Sequence, residues 1–322
     1  MRAITFDHFG DEDVLRLADV PSPVLGPDDL RIAVRATSVN RADLLQRQGL
    51  YPPPPGASEI LGLEAAGIVS EVGANVRGWQ IGERVMALLP GGGYAEEAVV
   101  HAGSAMRVPD ALSDEEAAAV PEVFLTAHHN LFDLARIKAG ERALIHGGGS
   151  GVGTASTTLL KLAGARVLVT VGSDEKARQC LAHGADVAIN YRSEDFVEKA
   201  RGVDVILDHL GASYLPRDLE ALGEGGRVVI IGSMGGERTA SIDVGRLLSK
   251  RQQVLGSVMR PRPAAAKAEI VASFLSRFGA DLEAGGIRPV IYKVMPLAQA
   301  AEAHRLMKAS EHFGKIVLRV SS

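Results

Sequence analysis

Asn40, Asp43 and Tyr51 fall within one short stretch, NRADLLQRQGLYPPPPG, that runs from Asn40 to Gly56. An amide, a carboxylate and a phenol are groups that orient substrates and hold protons. Asn40 can donate an amide N–H to a carboxamide or carbonyl oxygen. Tyr51 can bond an acceptor oxygen or a ribose and deliver a proton. Asp43 can orient Asn40 or carry protons to solvent; as plain structure it would cap a helix N-terminus. The prolines Pro52–Pro55 favour an extended segment of low conformational entropy, which would fix Tyr51 in place.

A second constellation is LIHGGGSGVG, with Gly147, Gly148, Gly149, Ser150, Gly151, Val152 and Gly153 between a strand and a helix. Glycines let the backbone turn tightly and approach a pyrophosphate. The helix that follows offers unpaired N–H groups and its positive end. A strict G-x-G-x-x-G is absent, so the strand–loop–helix placement carries the assignment. The next strand, RVLVTV, ends in Gly172 and Ser173, not in the acid that binds a ribose 2′-hydroxyl in NAD sites. A small neutral end leaves room for a 2′-phosphate, and Lys176, one turn into the next helix, can pair with it. Tyr191 and Arg192 follow the third strand. Asp174 and Glu175 would repel phosphate unless they face away and favour the helix N-terminus. The reading is NADPH over NADH.

Two kinds of element must position these groups. LRIAVRATSV, AAGIVSEVG, GERVMALL and YAEEAVVH are short apolar or alternating runs separated by Gly- and Pro-bearing turns, which predicts a small antiparallel, barrel-like β domain. Near Ser113 the pattern changes. Ser113 and Glu116 stand at capping-box spacing, and strands then alternate with helices. Six Val/Ile/Leu-rich strands with helical crossovers predict a doubly wound parallel sheet. Helices near 265–279 and 297–309 follow. The last strand, GKIVLRV, has no βα partner and is expected to rejoin the β domain. The expected division is 1–120 with 262–322 for the β domain and 121–261 for the cofactor domain.

Bulk properties bound the function. The 322 residues suffice for two domains, and a formal net charge of −4 points away from nucleic acid and anionic membranes. The start, MRAITFDHFG, lacks a signal-peptide core, and no apolar run reaches the roughly 18 residues of a membrane span. The one cysteine, Cys180, excludes an intrachain disulfide and a Cys-rich zinc site. It is expected to be a partly buried helix residue, and the compartment cytoplasmic. His128 and His129 are adjacent and would diverge on a helix, so they are expected to be ordinary histidines.

With these residues in hand, the chain resembles the medium-chain dehydrogenase/reductases, specifically their zinc-free quinone oxidoreductase branch. That branch includes zeta-crystallin and the tumour-suppressor-inducible NADPH quinone oxidoreductase group. NRADLLQRQGLYPPPPGASEILGLEAAG, MALLPGGGYAEE, AAAVPEVFLTA, SGVGTA and HFGKIVL carry the likeness, which covers essentially the whole chain. It implies a GroES-like β domain joined to a Rossmann domain. Nicotinamide-side contacts would fall on Asn40, Tyr51, Thr126, Gly232, Ser257 and Lys315, with Ser233 and Met234 beside Gly232. The phosphate loop would be Gly149 through Gly153, and the 2′-phosphate contacts Gly172, Ser173, Lys176 and Tyr191. Leu210 and Gly211 would lie near the adenosine ribose and the nicotinamide side. A homodimer is implied, with the exposed sheet edge at VLGSVM inviting a second copy.

Zinc-dependent alcohol dehydrogenases of the same superfamily carry a cysteine where Asn40 stands and a histidine-bearing triplet where Gly62–Glu64 reads GLE. Without a Lewis acid to stabilise an alkoxide, the acceptor must already be electrophilic, as a quinone or an α,β-unsaturated carbonyl is. The leading expectation is an NADPH-dependent quinone oxidoreductase. The alternatives are reduction of the C=C bond of an enone or enal, and a low-turnover NADPH-binding sensor.

Overall fold

A computed structural model of the chain describes residues 1–320. The residues group into two compact units, 1–125 with 260–322 and 126–259. The first, discontinuous unit opens with a hairpin, β1 (Arg2–Thr5) against β2 (Arg16–Asp19). Next come β3 (Asp29–Ser38), α1 (Arg41–Arg47), β4 (Glu64–Val72), β5 (Arg84–Leu88), β6 (Glu97–His101), β7 (Ala105–Arg107), the short α2 (Asp114–Ala117) and the first five residues of α3 (Pro121–His128). The ten-residue β3 is the axis of this sheet. It alternates inward and outward over its first half because Leu30, Ile32 and Val34 occupy every second position and point to the core. One edge pairs with β4 antiparallel. The other is shared end to end, β6 taking residues 29–33 and the final strand of the chain taking 36–38.

The inserted unit holds β8 (Arg142–His146), α4 (Gly151–Leu162), β9 (Arg166–Val171), α5 (Asp174–Ala182), β10 (Val187–Asn190), α6 (Phe196–Lys199), β11 (Val203–Asp208), α7 (Leu215–Ala221), β12 (Leu222–Ile230), α8 (Val244–Ser249) and β13 (Gln253–Gly256). Its six strands lie in the order β10-β9-β8-β11-β12-β13, all parallel. Leu144, Leu168, Ile206 and Val228 are essentially inaccessible, as expected of a parallel sheet covered on both faces.

The chain returns to the first unit through α9 (Ala264–Glu283), β14 (Ile291–Pro296), α10 (Ala300–Ala309) and β15 (Lys315–Arg319). The sequence reading needs correction here, because β15 does have a βα partner. β14 and β15 pair in parallel with α10 as their crossover. β14 was invisible as a strand because IYKVMP exposes most of its side chains and lacks a clean alternation. The β1/β2 hairpin escaped because each strand is only four residues long and neither alternates. β15 does rejoin the β domain, with Val317 opposite Ser38 on β3. Ser113 and Glu116 form the expected capping box. Cys180 is buried, and burial pushes its thiol up to about 12.

Candidate active site and cofactor cradle

The polar centre of the discontinuous unit is built where β3 ends and α1 begins. Asn40 is the N-cap of α1, with extended backbone, and Asp43 closes the box by accepting from Asn40 N at 2.8 Å. Asp43 also accepts from Gly62 N at 3.1 Å and from the Tyr94 hydroxyl at 3.2 Å. Its residue exposure is 0%, so it shapes the site and does not face it. Burial pushes its carboxyl up to about 6, although these donors and the Lys315 charge oppose the rise.

The Asn40 side chain is held on both sides. Its Oδ1 accepts from Lys315 Nζ at 2.6 Å, and its Nδ2 donates to Glu64 Oε1 at 2.9 Å and toward Ser38 O at 3.4 Å. The free amide donor expected from the sequence is therefore committed within the fold. Lys315 donates also to Glu64 Oε1 at 2.9 Å and Val39 O at 3.2 Å, which uses its three N–H groups. The resemblance implied a cofactor contact for Lys315; the structure makes it the cation of a buried knot, 2% exposed. Glu64 closes the knot from β4. Its Oε1 additionally takes the Ser38 hydroxyl, and its Oε2 takes Glu122 N at 2.9 Å.

Tyr51 stands beside this knot on the proline-bearing loop. Arg260 passes its guanidinium 5.3 Å from the Tyr51 ring centre and donates to Tyr51 O, Pro90 O and Gln46 Oε1. Lys267, on α9, donates to Arg260 O at 2.8 Å. Burial raises the Tyr51 phenol above its usual range. The Glu122 charge adds to that rise, and Arg260 opposes it.

Behind Asp43 runs a second buried chain. Arg47 Nη1 lies 3.3 Å from His304 Nδ1, and His304 Nε2 lies 3.2 Å from the Tyr94 hydroxyl. A guanidinium only donates, so Nδ1 accepts and Nε2 carries the proton. Tyr94 O–H then points at Asp43. Burial and the Arg47 charge push His304 down to about 3, so it is neutral at physiological pH. Arg47 is balanced by Glu12 at 2.9 Å.

In the inserted unit, Ser150 is the N-cap of α4 and accepts from Gly153 N at 3.0 Å. Helix N-termini leave N–H groups without intrahelical acceptors, here at the end of a parallel strand. Gly153 must be glycine for packing: a Cβ there would sit 2.4 Å from Gly147 O and 2.6 Å from Gly148 O. Such a backbone-lined cradle fits a pyrophosphate. His146, the last residue of β8, braces it. Its Nδ1 meets Thr170 Oγ1 at 3.0 Å and its Nε2 meets Asp218 at 2.9 Å, with Phe196 and Tyr214 edge-on to its ring. Asp208 shapes the neighbouring loop by accepting from Leu210 N and Gly211 N.

The structure brings the 2′-phosphate candidates together at the ends of β9 and β10. Ser173 caps α5 and accepts from Lys176 N. The Tyr191 hydroxyl lies over Gly172, where a Cβ would come within 2.7 Å of it. Asp174 is held by Asn190 Nδ2 at 2.6 Å and Glu175 pairs with Arg178, so both acids have other partners. Gly211 and Gly232 adjoin one another, and Ser257 N is bonded to Ile230 O, which puts all three at the same ends of β11, β12 and β13. Leu210 lies in this loop; Ser233 and Met234 begin an exposed stretch. Thr126, on α3, accepts at its carbonyl from Asn130 Nδ2 in the helical turn that follows.

Sequence reasoning missed Glu122, Arg260, Lys267, Tyr94 and His304. A signal existed for Glu122, a single acid in the apolar run AAAVPEVFLTA. The others are brought in from distant segments and carry no local pattern.

A GroES-like β unit with a buried charged knot, and a parallel-sheet unit with a glycine cradle, define a two-domain nicotinamide-dependent oxidoreductase architecture. The alcohol dehydrogenase GroES-like domain matches residues 26–110, and the zinc-binding dehydrogenase family matches residues 183–318. The chain is 33% identical to the quinone oxidoreductase of Lama guanicoe, over 99% of this chain and 97% of the relative. Among solved structures it is similar to Escherichia coli quinone oxidoreductase complexed with NADPH, at 29% identity, TM-score 0.84, 99% of this chain and 100% of the other. It is similar also to the CurK enoyl reductase, at 27% identity, TM-score 0.85 and 99% of both chains. The chain belongs to the medium-chain dehydrogenase/reductase family, among relatives of the quinone oxidoreductases.

Proposed function

We propose that this protein is an NADPH:quinone oxidoreductase that works without a metal. The observation that carries the reading is the full-length likeness to quinone oxidoreductases together with the backbone cradle at Ser150–Gly153. Bound NADPH supplies a hydride. The residues that would hold it are Gly149 through Gly153 for the pyrophosphate and Ser173, Lys176 and Tyr191 for the 2′-phosphate. Thr126, Leu210, Gly211, Gly232, Ser233, Met234 and Ser257 would complete its surroundings. The discontinuous unit is the catalytic domain in this reading, and the inserted unit the cofactor domain.

Metal independence is supported by chemistry already in place. Where zinc relatives carry a cysteine, Asn40 stands, and its neighbour Glu64 is saturated by four donors that include an ammonium group. Lys315 supplies the positive charge that a carboxylate at this place needs. Asn40 and Asp43 then keep the start of α1 rigid, and Tyr51 faces the acceptor. A quinone accepts hydride without Lewis-acid help because the arriving charge spreads over its ring.

A second reading, reduction of an activated C=C bond, is favoured by the likeness to the CurK enoyl reductase. NADPH oxidation measured over a panel of quinones, enones and enals, with metal analysis of the same preparation, separates the two. Turnover that requires zinc, or turnover on enals with none on quinones, overturns the leading reading.

We also propose a homodimer in the cytoplasm. The parallel sheet ends on β13, and the apolar side chains Val254 and Val258 near that edge are 38% and 48% exposed. No helix among the described residues is long and apolar enough to cross a membrane. Sedimentation of wild type against Val254→Lys tests the assembly.

A further inference from the structure

We propose that Arg260 is the positioning residue for Tyr51: it fastens the stiff proline loop to α1, so that Tyr51 and Asn40 take their places from the same helix. The inference rests on the reading above, in which Tyr51 faces the acceptor.

The Tyr51 loop needs an outside anchor. Pro52–Pro55 restrict the backbone but carry no N–H, so the segment cannot tie itself down by donating hydrogen bonds. The bond from Ala57 N to Pro54 O is internal to the loop and fixes nothing outside it. A stiff segment of this kind moves as a unit about its two ends. The far end is held by Gln46 Nε2, which donates to Glu59 O at 2.8 Å, and by Gly92 N, which donates to Ile60 O at 2.7 Å. At the near end, Arg260 Nη1 donates to Tyr51 O at 3.3 Å.

Arg260 makes that bond from a fixed position. Its Nη2 donates to Gln46 Oε1 at 2.7 Å and its Nε to Pro90 O at 2.8 Å. Lys267 holds the Arg260 carbonyl at 2.8 Å. One guanidinium therefore joins α1, the turn after β5 and the Tyr51 loop, and its planar fork fixes directions that a flexible ammonium does not. It also lies 5.3 Å from the Tyr51 ring centre, within cation–π range, so it bears on the ring as well as on the backbone. Arg260 and Gln46 are 5% and 3% exposed, so water competes little for these bonds. Gln46 is the hub: it stands in the last turn of the helix that Asn40 caps, and it serves the far end directly and the near end through Arg260. Loss of Arg260 frees the near end while the far end keeps Gln46 and Gly92. The expected result is a loosened Tyr51 in a folded protein.

The first test needs no cofactor. Arg260→Met should speed amide hydrogen exchange in residues 46–60 and leave the cradle, residues 142–162, unchanged. In turnover it should lower kcat/KM for the acceptor roughly 100-fold, as misplacement of a reacting group does. The KM for NADPH should move less than about 2-fold, because the cradle shares none of these bonds. Arg260→Lys keeps the charge but not the fork and should recover only a minor part of the rate. In a Tyr51→Phe background, Arg260→Met should cost less than about 3-fold, since the phenol it positions is already gone. Gln46→Met, which cuts the link to α1 and keeps Arg260, should act in the same direction with a smaller effect, and it decides the matter if Arg260→Met does not fold. The proposal fails if exchange in residues 46–60 is unchanged, or if acceptor kcat/KM survives the loss of Arg260. It fails also if Arg260→Lys restores the full rate, or if the Met and Phe substitutions add in full. A wild type that reduces neither quinones nor enals would sink the proposed function, and hydrogen exchange alone would then judge whether Arg260 fastens the loop.

Discussion

The charged knot of the discontinuous unit and the cradle of the inserted unit solve opposite problems. The knot buries Glu64, Lys315 and Asn40 and fills nearly every donor and acceptor with another side chain or a backbone group. The cradle keeps side chains out. At Gly153 even a Cβ would strike the carbonyl oxygens of Gly147 and Gly148. One region is specified by complementary charges and the other by the space left for backbone. The knot should therefore fail through unpaired charge, with effects on folding. The cradle region should fail through lost ligand contacts, with effects on affinity.

The largest effect should come from Lys315→Met. It leaves Glu64 ionised and buried with its cation gone, and breaking a buried pair in this way costs roughly 3–5 kcal/mol. Denaturant unfolding should show that loss, and adding Glu64→Gln should restore a good part of it by removing the orphaned charge. A loss below about 1 kcal/mol would mean that the knot is not electrostatic in origin.

On the cradle side, Lys176→Ala should weaken NADPH by the value of a hydrogen bond to a charged group, roughly 1.5–3 kcal/mol, or about 10- to 150-fold. NADH affinity and unfolding should hardly change. Equal loss for both nucleotides would remove Lys176 from the 2′-phosphate site and weaken the contrast between the two regions.

The same contrast explains what was legible in the sequence. The cradle could be read because its requirements are local: a strand, a run of glycines and a helix within LIHGGGSGVGTA. Alternating β–α patterns exposed the parallel sheet in the same way. Asn40 and Asp43 were readable as a pair because a capping box is a three-residue spacing. The knot as a whole was not readable. Lys315 is bonded to a residue 275 positions away and Arg260 to one 214 positions away, and no window of sequence contains such pairs. β14 was lost for another reason, because a strand with few inward residues leaves no period to detect.

Acid–base behaviour sharpens the comparison further. Glu122 is raised from 4.5 in the unfolded chain to about 8 in the fold. The folded state therefore binds more protons between those values, and stability falls as pH climbs through that window. Glu122→Gln should flatten this slope, which makes the variant relatively more stable at pH 8 than at pH 5 by roughly 1–2 kcal/mol once its partial exposure is allowed for. Thermal unfolding at the two pH values measures it. A wild-type slope that survives the substitution would assign the titration to another group.

The smallest effect should belong to Tyr94→Phe, which probes how far the knot's order depends on the chain behind it. The hydroxyl joins His304 Nε2–H to Asp43. Its removal leaves Asp43 with backbone donors from Asn40 and Gly62 and leaves His304 Nδ1 with Arg47, while the buried His304 Nε2–H loses its acceptor. Losing this link in a network that retains its others costs about 1 kcal/mol. The Asp43 carboxyl should also rise further above 6, because the Tyr94 bond is among the contacts that restrain it. NADPH affinity should stay constant, since the cradle shares none of these bonds. A loss near that of Lys315→Met would mean instead that the Arg47–His304–Tyr94 chain, and not the Lys315 charge, holds the start of α1 in place.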